Sequence, residues 1–181
     1  MSDQPSAVAP RGKGWLGLVG VGAIGIAVLI TPHQEGTLHG AYPDPATHGA
    51  PWTICTGHTR NVKPGDTASD AQCKAYLAED MQEAAATVAR CIHVPLNVNQ
   101  AAALYDATFN EGPQVVCGSR VQAAANAYNY PGMCANLARF IYGNHRVMPG
   151  LVNRRVDNIE LCSWPTSNPQ LVYPAHWSAK P

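Results

Sequence analysis

The chain has 181 residues and balances 12 Lys and Arg against 12 Asp and Glu. Only 13% of it is charged, where an ordinary domain carries about 25%, and 46% is apolar. The neutral balance excludes a basic nucleic-acid footprint as the primary reading, and the apolar content excludes a wholly disordered chain.

Residues 14–31 read GWLGLVGVGAIGIAVLIT and carry no charge. As a helix rising about 1.5 Å per residue the run reaches about 27 Å, close to the roughly 30 Å hydrocarbon core of a bilayer. Arg11 and Lys13 precede it and nothing basic follows until Arg60. The positive-inside bias therefore predicts a cytoplasmic tip and export of everything after Pro32. A cleaved signal peptide would need small residues in an A-x-A-like pattern, and the exit Leu29-Ile30-Thr31-Pro32 fits that poorly. An uncleaved signal anchor is the expectation. Its composition is unusual, with Gly14, Gly17, Gly20, Gly22 and Gly25 beside Ala23 and Ala27. Glycine adds no side-chain burial, so insertion should be marginal. Two readings stay open: a small-residue face for helix packing, or an anchor weak enough to leave the bilayer.

Residues 1–32 are thus set apart as tip and anchor, 33–165 as one exported domain, and 166–181 as an irregular tail after Pro165 and Pro169. All six cysteines, Cys55, Cys73, Cys91, Cys117, Cys134 and Cys162, fall in the exported domain. An even count in an oxidising compartment suggests disulfides. Pairing of sequence neighbours, Cys55 with Cys73, Cys91 with Cys117 and Cys134 with Cys162, is expected among many possible pairings. No C-x-x-C occurs, which argues against a zinc ribbon or a thioredoxin-type site.

The domain opens with a segment rich in Gly, Pro, His and Thr containing strand-like pieces such as Trp52-Thr53-Ile54-Cys55. From Ser69 the pattern turns helical. Ser69 and Gln72 make a capping box, and Tyr76, Leu77, Met81, Ala85 and Val88 recur at helical spacing to about Cys91. After Pro95, Asn99 is expected to cap a helix with the stripe Leu104, Tyr105, Thr108 and Phe109. Further helices are predicted over about Ser119–Tyr128, Gly132–Tyr142 and Leu151–Cys162. The fold class is α+β, a small hairpin lobe followed by a larger helical lobe.

Cleaving a glycosidic bond takes an acid for the leaving oxygen and a second group on the other side of the sugar. Glu35 and Asp44 are separated by the turn-forming GTLHGAYP, which lets both reach one cleft. The stretch Glu35-Gly36 … Tyr42-Pro43-Asp44 … Trp52-Thr53-Ile54-Cys55-Thr56-Gly57-His58-Thr59 resembles the active-site hairpin of the phage-type lysozymes, glycoside hydrolase family 24. Ala103-Leu104-Tyr105-Asp106-Ala107-Thr108-Phe109-Asn110-Glu111-Gly112 is similar to that family's helix end, and Gly150-Leu151-Val152-Asn153-Arg154-Arg155 to its G-L-x-x-R-R helix start. With the weak anchor, the whole resembles a signal-arrest-release endolysin of a phage infecting Gram-negative bacteria.

The resemblance implies a lysozyme-like fold and Glu35, Asp44 and Thr53 as catalytic residues. It also implies peptidoglycan as substrate and an inverting outcome. Phe109, Asn110 and Arg154 are further candidates for the substrate side, although Phe109, with Tyr105, also reads as core and Arg154 as a packing or pairing residue. A precursor held in the host inner membrane by residues 14–31, then released to the periplasm as a monomer, completes the expectation. The gap from Asp44 to Thr53 is longer than the family's usual one, so Pro45–Pro51 should hold a short insertion, with Thr47 as the alternative hydroxyl. His39, His48 and His58 with Cys55 match no metal-ligand spacing, so no metal or cofactor is expected. One of Arg154 and Arg155 is expected to pair with an acid such as Glu111 or Asp157. Two alternatives remain: a lytic transglycosylase, which needs the acid but not the Asp–Thr pair, and a non-catalytic membrane-anchored protein that binds peptidoglycan.

Overall fold

The computed structural model describes residues 21–31, 37–44, 49–143 and 145–164. Glu35, Thr47, His48, the anchor segment 14–20 and the tail 166–181 lie outside the described residues, and Asp44 is described by its strand position alone.

The first helix, α1, covers residues 21–31. Ala23, Ile26, Ala27, Ile30 and Thr31 are buried, whereas Val21 and Leu29 are exposed. That spacing is a single helical stripe, hidden in a sequence whose other positions are also apolar. The stripe lies in the same core cluster as the residues of the helical lobe. Gly22 permits the approach, because a Cβ there would stand 3.2 Å from a Val98 methyl. Residues 21–31 therefore share the core of a domain that the sequence reading began at residue 33. Among the described residues, no helix is long and apolar enough to cross a membrane.

Strands β1 (Leu38–Asp44) and β2 (Gly49–Cys55) form an antiparallel hairpin. Helix α2 (Asp70–Cys91) follows, started by the expected box: the Ser69 hydroxyl accepts from the Gln72 amide, and the Gln72 side chain accepts from the Ser69 amide. Helix α3 (Val98–Glu111) is capped by Asn97 rather than Asn99. The reason is reciprocity. The residue three after Asn97 is Gln100, whose Oε1 accepts the Asn97 amide at 2.9 Å while Asn97 Oδ1 accepts the Gln100 amide at 2.8 Å. Three after Asn99 stands Ala102, which returns nothing.

Ala101, Ala102, Ala103, Leu104, Tyr105 and Ala107 are all buried, so α3 is enclosed nearly all round, between α2 and α6 (Pro149–Ser163). Alanine makes this possible by letting neighbouring helices approach closely. Between them lie α4 (Arg120–Asn126), started by the Ser119 hydroxyl, and α5 (Tyr130–Ala135). The predicted helix over Gly132–Tyr142 is shorter than expected. After α5 the chain tightens into a 3-10 turn, Asn136–Arg139. It then forms a second hairpin, β3 (Tyr142–Gly143) and β4 (Arg146–Val147), which two-residue strands leave too short for a periodicity to reveal.

The disulfides join sequence neighbours as expected: Cys55–Cys73, Cys91–Cys117 and Cys134–Cys162. They span 18, 26 and 28 residues, each worth about 3–4 kcal/mol through the entropy removed from the unfolded chain. The first ties β2 to α2, so the hairpin lobe is fastened to the helical lobe beneath it.

Candidate active site

Register fixes the expected catalytic strand pair. Tyr42 stands opposite Thr53 and Pro43 opposite Trp52, but Asp44 pairs with Gly49. The register shifts between these pairs, with Ala50 and Pro51 lying in the interval. An irregularity of the pairing therefore lies inside β2, within the stretch where the insertion is expected. Thr53 is buried in the middle of β2. Below it, Thr56 lies 3.2 Å from the Thr37 hydroxyl, closing the base of the hairpin.

The lobes meet where α3 ends. Phe109, partly buried against the main core, comes so close to the loop after β2 that a Cβ on Gly57 would stand 3.4 Å from its ring. Gly57 has φ +94, a region that side chains rarely adopt. The next residue, Asn110, accepts from Arg155 Nη2 at 2.9 Å. Glu111 is half-buried, and burial raises its carboxyl above the usual range while the Arg155 charge pulls it down. Phe109 thus meets the hairpin lobe at the end of α3, while Asn110 and Glu111 beside it interact with Arg155 of α6.

Arg154 points elsewhere. It is 4% exposed, and its Nη2 and Nε donate to Asp106 at 2.9 and 3.3 Å. The expectation that one of the two arginines meets Glu111 or Asp157 holds, since Arg155 interacts with Glu111 and Arg154 with Asp157. The interior acid Asp106, which was not expected, accepts the Arg154 hydrogen bonds. Asn158 Nδ2 at 2.8 Å and the Thr31 hydroxyl at 2.6 Å complete the ring of donors. Burial pushes the Asp106 carboxyl up, while the Asn158 and Thr31 hydrogen bonds hold it down. Desolvation, with the like charge of Arg155, lowers Arg154 to about 9. This cluster was not foreseen, though an aspartate inside the alanine-rich stripe of α3 was its visible signal: an acid on a buried face needs a buried cation.

The hairpin lobe has its own polar lock. His58 is buried and stacks on Tyr76, ring centroids 4.3 Å apart and 5° from parallel. Its Nδ1 lies 2.9 Å from Asp80 Oδ2 and its Nε2 3.1 Å from the Arg60 carbonyl. Burial raises the Asp80 carboxyl, with His58 and Arg60 opposing that shift and Glu83 adding to it. Both nitrogens being engaged, and Cys55 being bonded to Cys73, neither is free to hold a metal. Their positions suit a fastening of the hairpin to α2.

The profile of the phage lysozyme family matches residues 32–158, a span that includes Glu35, Asp44 and Thr53. The chain belongs to the phage lysozyme family. It is 33% identical over 153 residues to a SAR-endolysin of Enterobacteria phage P21, covering 81% of this chain and 91% of that one. It is also 38% identical over 137 residues to a SAR-endolysin of Pseudomonas phage phiKMV, covering 74% and 83%. Among solved structures it resembles the muramidase domain of SpmX from Asticaccaulis excentricus, with a TM-score of 0.70, 25% identity and coverage of 77% and 95%. The active form of the P1 phage endolysin Lyz shares the fold, with a TM-score of 0.69, 22% identity and coverage of 81% and 92%. The family's α+β lysozyme fold is the one described above.

Proposed function

We propose that this chain is an endolysin that hydrolyses the β-1,4 bond between N-acetylmuramic acid and N-acetylglucosamine in peptidoglycan, lysing the host cell. The observation that carries the reading is the pairing of Tyr42 with Thr53, which sets a threonine two residues across from the strand end at Asp44, inside the span that matches the family. Glu35 is the general acid that gives its proton to the leaving oxygen. Asp44 stays ionised, stabilises positive charge growing on the sugar and orients a water, which the Thr53 hydroxyl helps to hold. Phe109 and Asn110, at the junction of the lobes, contact the glycan. Arg154 serves from beneath, fixing α6 against α3 through Asp106.

Regulation follows from α1. Its buried stripe can meet either lipid or the core of the domain, but not both. Ile26 and Ile30 each gain about 1.5–3 kcal/mol from burial in either place, and the glycines weaken the hold of the bilayer. Residues 14–31 therefore anchor the precursor in the inner membrane, and the domain works in the periplasm once they leave. Glu35 follows the anchor by a few residues, so an anchored chain holds its acid out of place.

Purified cell walls treated with the Glu35→Gln protein test the chemistry. Loss of lysis with the fold intact is expected, and undiminished lysis overturns the assignment. Fractionation before and after collapse of the membrane potential tests the anchor. A protein that never leaves the membrane overturns release.

A further inference from the structure

Charge is divided along this chain. No Asp or Glu occurs between Glu111 and Asp157, whereas Arg120, Arg139, Arg146, Arg154 and Arg155 do. Arg154 and Arg155 are buried, leaving Arg120, Arg139 and Arg146 at the surface. In a molecule of zero net charge, this stretch is cationic and every acid lies elsewhere.

The β3–β4 hairpin lies within that stretch and carries apolar side chains into water on both faces. Tyr142 and Val147 are register partners, so they share a face, and they are 57% and 50% exposed. Met148 lies over Gly143, its Cγ 3.1 Å from where a Cβ would be; it belongs to the other face, with Arg146, and is 44% exposed. The Met148 amide reaches the Ile141 carbonyl at 2.9 Å, so the element is held by its backbone.

We propose that this hairpin docks on the surface of an anionic phospholipid bilayer. Tyrosine suits the headgroup level, with an apolar ring and a polar tip. Val147, on the same face as Tyr142, enters the acyl boundary, and Arg139 and Arg146 reach lipid phosphates from beside it. An acidic stem peptide of the cell wall would match the arginines, but it offers no apolar layer for Tyr142 and Val147. A lipid surface matches both. On the reading proposed above, the contact keeps a released enzyme at the periplasmic face of the membrane, beside the wall it cuts.

Sedimentation of the full chain with vesicles of phosphatidylglycerol and phosphatidylcholine, and of phosphatidylcholine alone, tests this. Residues 14–31 are present in every variant, so differences between variants report on the hairpin. Wild type is expected to favour the anionic vesicles, the more so at low salt. Arg139→Glu with Arg146→Glu should weaken that binding at least about tenfold, and Tyr142→Ser with Val147→Ser should weaken it while leaving its salt dependence. Thermal unfolding and digestion of purified walls should not change. The single change Arg146→Gln, at an exposed position, gives the same reading if a double variant fails to fold. Equal vesicle binding by all variants overturns the proposal. So does loss of binding to purified peptidoglycan in its place, or self-association of wild type through this face without lipid. Failure of lysis by Glu35→Gln bears on the catalytic reading and not on this one.

Discussion

The Thr31 hydroxyl lies 2.6 Å from Asp106 Oδ1, linking the last described residue of α1 to an acid at the centre of α3. The same oxygen lies 2.8 Å from the Ala27 carbonyl. A hydroxyl has one proton, and the shorter contact with the carboxylate is the one that takes it. Apolar contacts along the α1 stripe tolerate sliding, but a hydrogen bond does not. Thr31 therefore sets the register of α1 on the domain.

Thr31→Val keeps the shape and removes the donor. It should cost about 1–3 kcal/mol, because a fully buried acceptor loses one partner. Urea denaturation of the released protein reads the loss as a lower midpoint at unchanged slope. The change also makes the segment more apolar, so both effects favour the bilayer, and a larger membrane-bound fraction is the expected result of fractionation.

Asp106→Ala takes from the buried Arg154 the carboxylate it donates to and should cost about 3–5 kcal/mol. Removing both charges together, as Asp106→Leu with Arg154→Met, should recover more than half of that. Thr31 and Asn158 still lose a partner, which sets the remainder. Thermal unfolding of the two variants checks the order, and a double variant worse than the single one would contradict it.

Sequence made some of this legible and hid the rest for physical reasons. Local rules carried far: Ser69 with Gln72 gave the start of α2, and order along the chain gave all three disulfides. Asn97 was missed because two asparagines stand near the start of α3 and only the partner at Gln100 separates them. The β3–β4 hairpin was missed because two-residue strands have no period. Helix α1 was legible as apolar but not as amphipathic, since Val21 and Leu29 on its outer face are as apolar as Ile26 and Ile30 within. Charge pairing was least legible. Arg154 has acids nearby in sequence, yet it is joined to Asp106 by the packing of α6 on α3, which only the fold decides.

Gly57→Ala should lose about 1–3 kcal/mol, since alanine resists the φ of +94 held there. The Phe109 ring, 3.4 Å from the added carbon, is only in ordinary contact. The cost therefore belongs to the backbone. Making the same change in a Phe109→Leu background should leave it nearly unaltered, with a coupling below about 0.5 kcal/mol. A larger coupling, measured by denaturation of the four proteins, would move the cost to the ring.

Glu111 offers a test by pH. Burial raises its carboxyl above the ordinary 4.5, against the pull of Arg155. Over the window above 4.5 the folded protein then holds a proton that the unfolded chain has released, so this group's contribution is full below that window and is lost as pH rises through it. Glu111→Gln has no such dependence. Its stability relative to wild type should therefore increase as pH rises across the window and level off on either side. Paired thermal unfolding curves through the acid range read the difference. A relative stability that falls with rising pH would mean that Arg155, and not burial, governs this carboxyl.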